Sequence, residues 1–130
     1  MGENISIILN LRKKLTYSVS NKQGLYAEID LNKELIKNPN STFYGKVRGD
    51  SMKDLGIHNG DLLVIDKSLE PQNGKIAVCF IDGEFMVKTI KKEKDCYWLI
   101  PANKDYKPLK VTAENELIIW GIVINVIKYF

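Results

Sequence analysis

Histidine is almost absent: the 130 residues contain one, His58. It stands in Gly56-Ile57-His58-Asn59-Gly60, a turn-like stretch where a solvated ring is expected, so a Ser-His-Asp constellation has poor support. Cysteine is scarce too, with Cys79 and Cys96 alone, each inside an apolar stretch. Two free buried thiols suit those positions better than a bridge, and free thiols favour a reducing cytosol. One histidine and two cysteines make no ligand cluster of recognisable spacing, so neither a metal nor another cofactor is expected. Long apolar runs are missing, and nothing approaches the ~18 residues that a membrane span needs. The longest candidate, Leu117 to Ile124, contains Gly121 and runs into Asn125. Ile5 to Leu9 has no basic residue before it and no small-residue cleavage pattern after it, which is not the form of a signal peptide. A cytoplasmic protein is the expectation. Charge of one sign is also lacking. A net charge of +3 does not argue for nucleic-acid binding, and leaves a partner with an acidic surface open.

What is present is the composition of one globular domain, with 45% hydrophobic and 27% charged residues and neither repeat nor low-complexity tract. Residues 1–28 differ from the rest. A short apolar run, the basic cluster Arg12-Lys13-Lys14 and the polar stretch Ser18 to Gly24 read as an extended or weakly ordered arm. Residues 29–130 read as the domain proper. Asp30 is placed to cap a short helix through Ile36, with Leu31 and Leu35 on one face and Pro39 beyond its end.

From Thr42 onward the signals are strands and tight turns. Phe43 to Val47, Leu62 to Asp66, Ile76 to Ile81, Phe85 to Ile90, Tyr97 to Ile100 and Leu117 to Ile127 are rich in β-branched or aromatic residues. Asn59-Gly60, Asn73-Gly74 and Asp82-Gly83 punctuate them, and Asp82-Gly83 is expected to close a two-residue hairpin. Pro101 and Pro108 bracket a polar loop. The fold expected is mainly β: a rolled, partly barrel-like antiparallel domain with a short N-terminal helix and arm. Leu117 to Ile127 reads equally well as an apolar edge that pairs with a second copy or as a central core strand.

Two residues invite chemistry. In Phe85-Met86-Val87-Lys88-Thr89-Ile90, alternation sets Lys88 on the face of Met86 and Ile90. Burial disfavours an ammonium relative to the neutral amine, which is the condition for a lysine to serve as a base. The alternative is a lysine whose stem covers apolar surface while its head reaches water. Lys91 and Lys92 follow and read as solvated. Ser51, in Arg48-Gly49-Asp50-Ser51-Met52, stands at a strand end where Gly49 permits a sharp exit. There it is either a turn serine bonded to its own backbone or a nucleophile awaiting a base, with loop N–H groups near a developing oxyanion.

Taken together, Gly49 to Met52, Gly56 to Leu63 and Asp82 to Lys88 resemble, in order and spacing, the LexA/UmuD type of serine–lysine peptidase. The interval from Ser51 to Lys88 matches that family. Leu99 to Asn103 and Trp120 to Ile124 resemble its later blocks, while Ile29-Asp30-Leu31-Asn32 and Asn38-Pro39 are nearer UmuD than LexA. The likeness covers residues 26–130. It implies Ser51 as nucleophile, Lys88 as general base, and an oxyanion hole of backbone N–H groups around Asp50 and Ser51. It also implies a homodimer that cleaves its own N-terminal segment once a RecA–single-stranded-DNA filament binds. The trimmed product then joins a UmuC-type DNA polymerase in translesion synthesis. Counting back from Ile29, the scissile bond falls at Leu15-Thr16, where the family has Ala-Gly or Cys-Gly; Gly24 lies too close to the serine for that register. This departure keeps two other readings open: a non-cleaving interaction module of the same fold, and the peptidase part of a LexA-type or phage-type repressor.

Overall fold

Short β-branched and aromatic runs joined by tight turns become the strands of the computed structural model, which describes residues 4–8, 16–20 and 26–130, with side chains from Asp30 onward. Three short strands come first: β1 (Asn4–Ile8), β2 (Thr16–Ser20) and β3 (Tyr26–Asp30). Helix α1 (Leu31–Leu35) begins as expected, with Asp30 Oδ1 accepting from Asn32 N at 3.0 Å. It stops at Ile36, and Pro39 opens a 3₁₀ turn, Pro39–Ser41, rather than ending the helix itself. The remaining strands are β4 (Thr42–Arg48), β5 (Leu62–Asp66), β6 (Ile76–Ile81), β7 (Glu84–Lys92), β8 (Tyr97–Ile100), β9 (Leu109–Val111) and β10 (Leu117–Ile127). Asp82-Gly83 closes the β6–β7 hairpin with Ile81 opposite Glu84.

Eight strands form one antiparallel sheet in the order β1-β4-β5-β10-β6-β7-β8-β9, while β2 and β3 make a separate two-stranded ribbon. The large sheet rolls until β1, on one edge, lies against β7, without closing into a barrel. Strand alternation gives it two apolar faces. Leu63 and Ile65 of β5, Val78 of β6 and Val87 of β7 meet Val47, Met52 and Ile57 in one cluster. Ala77, Cys79 and Ile81 of β6 join Ile90, Leu99, Val111 and Ile122 in the other. Each Val, Leu, Ile or Met side chain among them, fully buried, contributes about 1.5–3 kcal/mol.

Three expectations need correction or completion. β10 is a central strand between β5 and β6, so it offers no edge to a second copy. It runs so close over β5 that a Cβ on Gly121 would sit 2.5 Å from Ile65 Cγ2, and the strand bulges between Ile119 and Gly121. Cys96 is half-exposed beside Glu93 rather than buried, whereas Cys79 is buried; both are free. In the N-terminal 28 residues, the expected arm includes all of β1 and β2 and the start of β3.

Candidate active site

β4 leads directly to the serine. Past Arg48 the backbone turns at Gly49, whose φ of +93° lies where a side chain is disfavoured. Asn59 Oδ1 holds the exit by accepting from Gly49 N at 3.0 Å. Ser51 follows in the turn, and Met52 and Ile57, each 1% exposed, anchor the segment in the first core cluster. Val47 N donates to Asp61 O and Gly60 N to Val47 O, tying the 58–61 turn to the same end of β4. His58 lies exposed in that turn, its Nδ1 3.0 Å from Lys128 Nζ, and takes no part in the serine's surroundings.

Lys88 comes from β7, opposite Ala77 of β6. The buried Ile90 and half-buried Met86 flank it on the second apolar face. Lys91 and Lys92 are exposed, as their position at the strand's end suggests. The Lys88 amine crosses to the β4 side: Nζ donates to Ser51 Oγ at 3.0 Å and to Val87 O at 3.2 Å. Ser51 is 1% exposed and Lys88 7%, so the pair sits out of water. Cys79 shares the face with Lys88; burial pushes its thiol up to about 12, against a smaller downward pull from the Lys88 charge, so it stays a neutral neighbour. Among the described residues no group of three or more His, Cys, Asp or Glu side chains could hold a metal ion.

A loop not singled out for chemistry closes the site from the other side. After β8, Ala102 N donates to Ser51 O at 2.8 Å, and Asp54 N donates back to Ala102 O at 2.8 Å. Asn103 Nδ2 donates to Asp50 O at 3.0 Å, and Tyr106 OH to Asp50 Oδ1 at 2.9 Å. The sequence marked this stretch as a polar loop between Pro101 and Pro108, with Leu99 to Asn103 resembling a later block of the family, but gave none of its residues a role.

Leu15 lies outside the described residues, and Thr16 opens β2, whose side chains do as well. Among the described N-terminal residues, β1 meets the site's strands, paired on β4 with Asn4 opposite Arg48 and lying against β7.

Residues 12–124 match the family described as Peptidase S24-like. Protein SamA of Salmonella typhimurium is 43% identical over 96 residues, covering 74% of this chain and 66% of SamA. Protein MucA of Escherichia coli is 39% identical over 98 residues, again 74% and 66%. The LexA repressor of Alcanivorax borkumensis is 47% identical over 87 residues, covering 67% of this chain but 42% of the repressor. The chain thus spans less than two thirds of the length of these relatives.

Proposed function

Because the chain belongs to the Peptidase S24-like family, of the LexA/UmuD type, we propose that it is a self-cleaving serine peptidase with Ser51 as nucleophile and Lys88 as general base. The observation that carries the reading is the 3.0 Å contact between Lys88 Nζ and Ser51 Oγ in a buried setting. The neutral amine takes the hydroxyl proton as Oγ attacks a peptide carbonyl. The resulting ammonium returns that proton to the departing amine, leaving an acyl-enzyme. Water, deprotonated by the same amine, then releases the new carboxylate. Backbone N–H groups around Asp50 and Ser51 face the oxyanion.

The substrate in this reading is the chain's own N-terminal segment. A nucleophile 1% exposed does not meet a peptide from solution unless the chain around it moves, which favours a latent enzyme acting on itself. The place of β1, between the strands that deliver Ser51 and Lys88, supports the same substrate. Leu15-Thr16 is the candidate bond, a RecA–single-stranded-DNA filament the activator, and a UmuC-type polymerase the partner of the trimmed, dimeric product. The role is thus an SOS-response one, in the cytoplasm. The non-cleaving module is the second reading, favoured by a leucine and a threonine where small residue and glycine are expected.

Intact mass after incubation at alkaline pH, and separately with RecA filament, tests this. Cleavage is expected to rise with pH, because only the neutral amine accepts the proton. Ser51→Ala should abolish the new fragment and Lys88→Ala slow it by roughly 10²- to 10⁴-fold. Fragment masses locate the bond. A folded wild-type protein that stays whole under both conditions leaves the interaction module as the better reading.

A further inference from the structure

We infer that Asn103 is a positioning residue: it grips the Asp50 carbonyl and thereby turns the Ser51 N–H toward the cleft as an oxyanion donor. The inference rests on the peptidase reading above. A peptide group is planar and trans, so its C=O and N–H point in opposite directions. Fixing one fixes the other. Asp50 O accepts from Asn103 Nδ2 at 3.0 Å and from Lys53 N at 3.2 Å, so the Ser51 N–H is held facing away from both. Ala102 N treats the next peptide the same way, gripping Ser51 O and setting the Met52 N–H.

The two N–H groups so directed donate to no acceptor among the described residues, although Ser51 and Met52 are each 1% exposed. A buried N–H without a partner costs free energy, and nearly all such groups in folded proteins are paired. Two in succession beside a serine 3.0 Å from an amine are what an oxyanion hole requires: donors already aimed, needing no reorganisation when charge develops. Lys53 N alone does not make the grip rigid, since its bond is longer and internal to the turn.

Asn103 is itself held. It is 5% exposed, and its Oδ1 accepts from Asp105 N at 2.9 Å, which fixes the amide with its nitrogen toward Asp50. The Tyr106 hydroxyl pins the Asp50 side chain from the same loop. The grip therefore comes from across the fold, 53 residues along the chain, and does not depend on the turn's own sequence.

The test uses the full chain with Asn103→Asp, which keeps the acceptor for Asp105 N and replaces the donor by an oxygen, and Asn103→Ala. Tyr106→Phe serves as a control that leaves the carbonyl held. Loss of one oxyanion donor is expected to lower the maximal self-cleavage rate by about 10²- to 10³-fold. For Asn103→Ala the pH midpoint of cleavage should not move, since the Ser51–Lys88 pair keeps its contact and no charge is added, whereas general loosening of the site would shift it. The carboxylate of Asn103→Asp is expected to raise the midpoint through its own charge. Tyr106→Phe should lose far less activity than either Asn103 variant by this account, as Asn103 still holds the Asp50 carbonyl. A folded Asn103→Asp protein that cleaves at the wild-type rate overturns the inference. Residual dipolar couplings of the Ser51 amide, read independently of activity, are expected to change in both Asn103 variants; unchanged couplings also overturn it. If neither variant folds, wild-type amide temperature coefficients decide. Ser51 and Met52 must show the steep dependence of amides without an acceptor, and a shallow one refutes the assignment. Should the wild type never cleave while the couplings change, the peptidase reading fails and the positioning of the peptide stands.

Discussion

At the scale of single residues, Asp66 shows how a buried charge holds the frame behind the site. It is 1% exposed at the end of β5 and accepts four hydrogen bonds: from Asn38 Nδ2 at 2.7 Å, Ser41 Oγ at 2.9 Å, Ser68 N at 2.8 Å and Ser68 Oγ at 2.7 Å. Burial alone pushes its carboxyl up, but the four donors together outweigh that and hold it below the usual carboxylate range. A carboxyl lowered in the folded state is protonated more readily when unfolded. Its contribution is therefore complete above the ordinary carboxylate range and is lost as pH falls through the lowered value. Asp66→Asn places an NH₂ group among donors and is expected to cost about 2–4 kcal/mol at neutral pH. Urea unfolding at pH 7 and at pH 3 checks this. The wild type should lose more stability between the two than the variant does, and equal losses would show that Asp66 is not a source of acid sensitivity.

Among elements, β1 stands where, in the peptidase reading, a substrate strand would approach the serine. It occupies the edge of β4 in antiparallel register, Ile5 opposite Val47 and Ile8 opposite Tyr44, and lies against β7. While it is there, the segment around Leu15-Thr16 cannot use that edge. Removing residues 1–8 is expected to speed self-cleavage by about tenfold, the gain when a competent state populated at roughly one part in ten becomes the prevailing one. A rate unchanged or reduced, by intact mass, would show that β1 helps present the substrate instead. Little of this was legible in the sequence, for physical reasons. The strands from Phe43 to Ile127 announced themselves through β-branched runs and Asn-Gly or Asp-Gly turns, and alternation set Lys88 between apolar neighbours without deciding whether its head is buried or reaches water. Leu109–Val111 is too short to show alternation, and only its pairing with β8 makes it a strand. The central place of β10 depends on which strands pair, which no local pattern encodes, and its bulges break the period of two. Ser51 and Lys88 were legible as a pair through their spacing and flanking motifs. Asn103 stood in a block that resembles the family, but neither its role nor that of Tyr106 was legible, because their meaning lies in bonds to Asp50 that span more than fifty residues.

For the whole molecule, the question is what survives once the N-terminal segment is gone. Among the residues whose side chains are described, both apolar clusters draw on residues from Val47 onward, and the remaining buried hydrophobic side chains begin at Ile36. The Asp30 cap, the Asp66 hub and the loop that grips Asp50 all lie within residues 29–130. Of the large sheet, only β1 at its edge comes from outside that range; it pairs with β4 alone and otherwise lies against β7. Losing it exposes the rim of β4, where the exposed Lys46 and Arg48 disfavour indiscriminate pairing with another strand. Residues 29–130 alone should therefore fold cooperatively, with a Tm within about 5 °C of the intact chain, a shift equivalent to roughly 1 kcal/mol in a domain of this size. Near-UV circular dichroism from Trp98 and Trp120, followed through heating, reads this directly. A trimmed protein with the intact near-UV spectrum fits a domain built to outlast its own cleavage. Loss of that spectrum would mean that β1 to β3 belong to the cooperative fold, so that residues 29–130 do not make a domain by themselves.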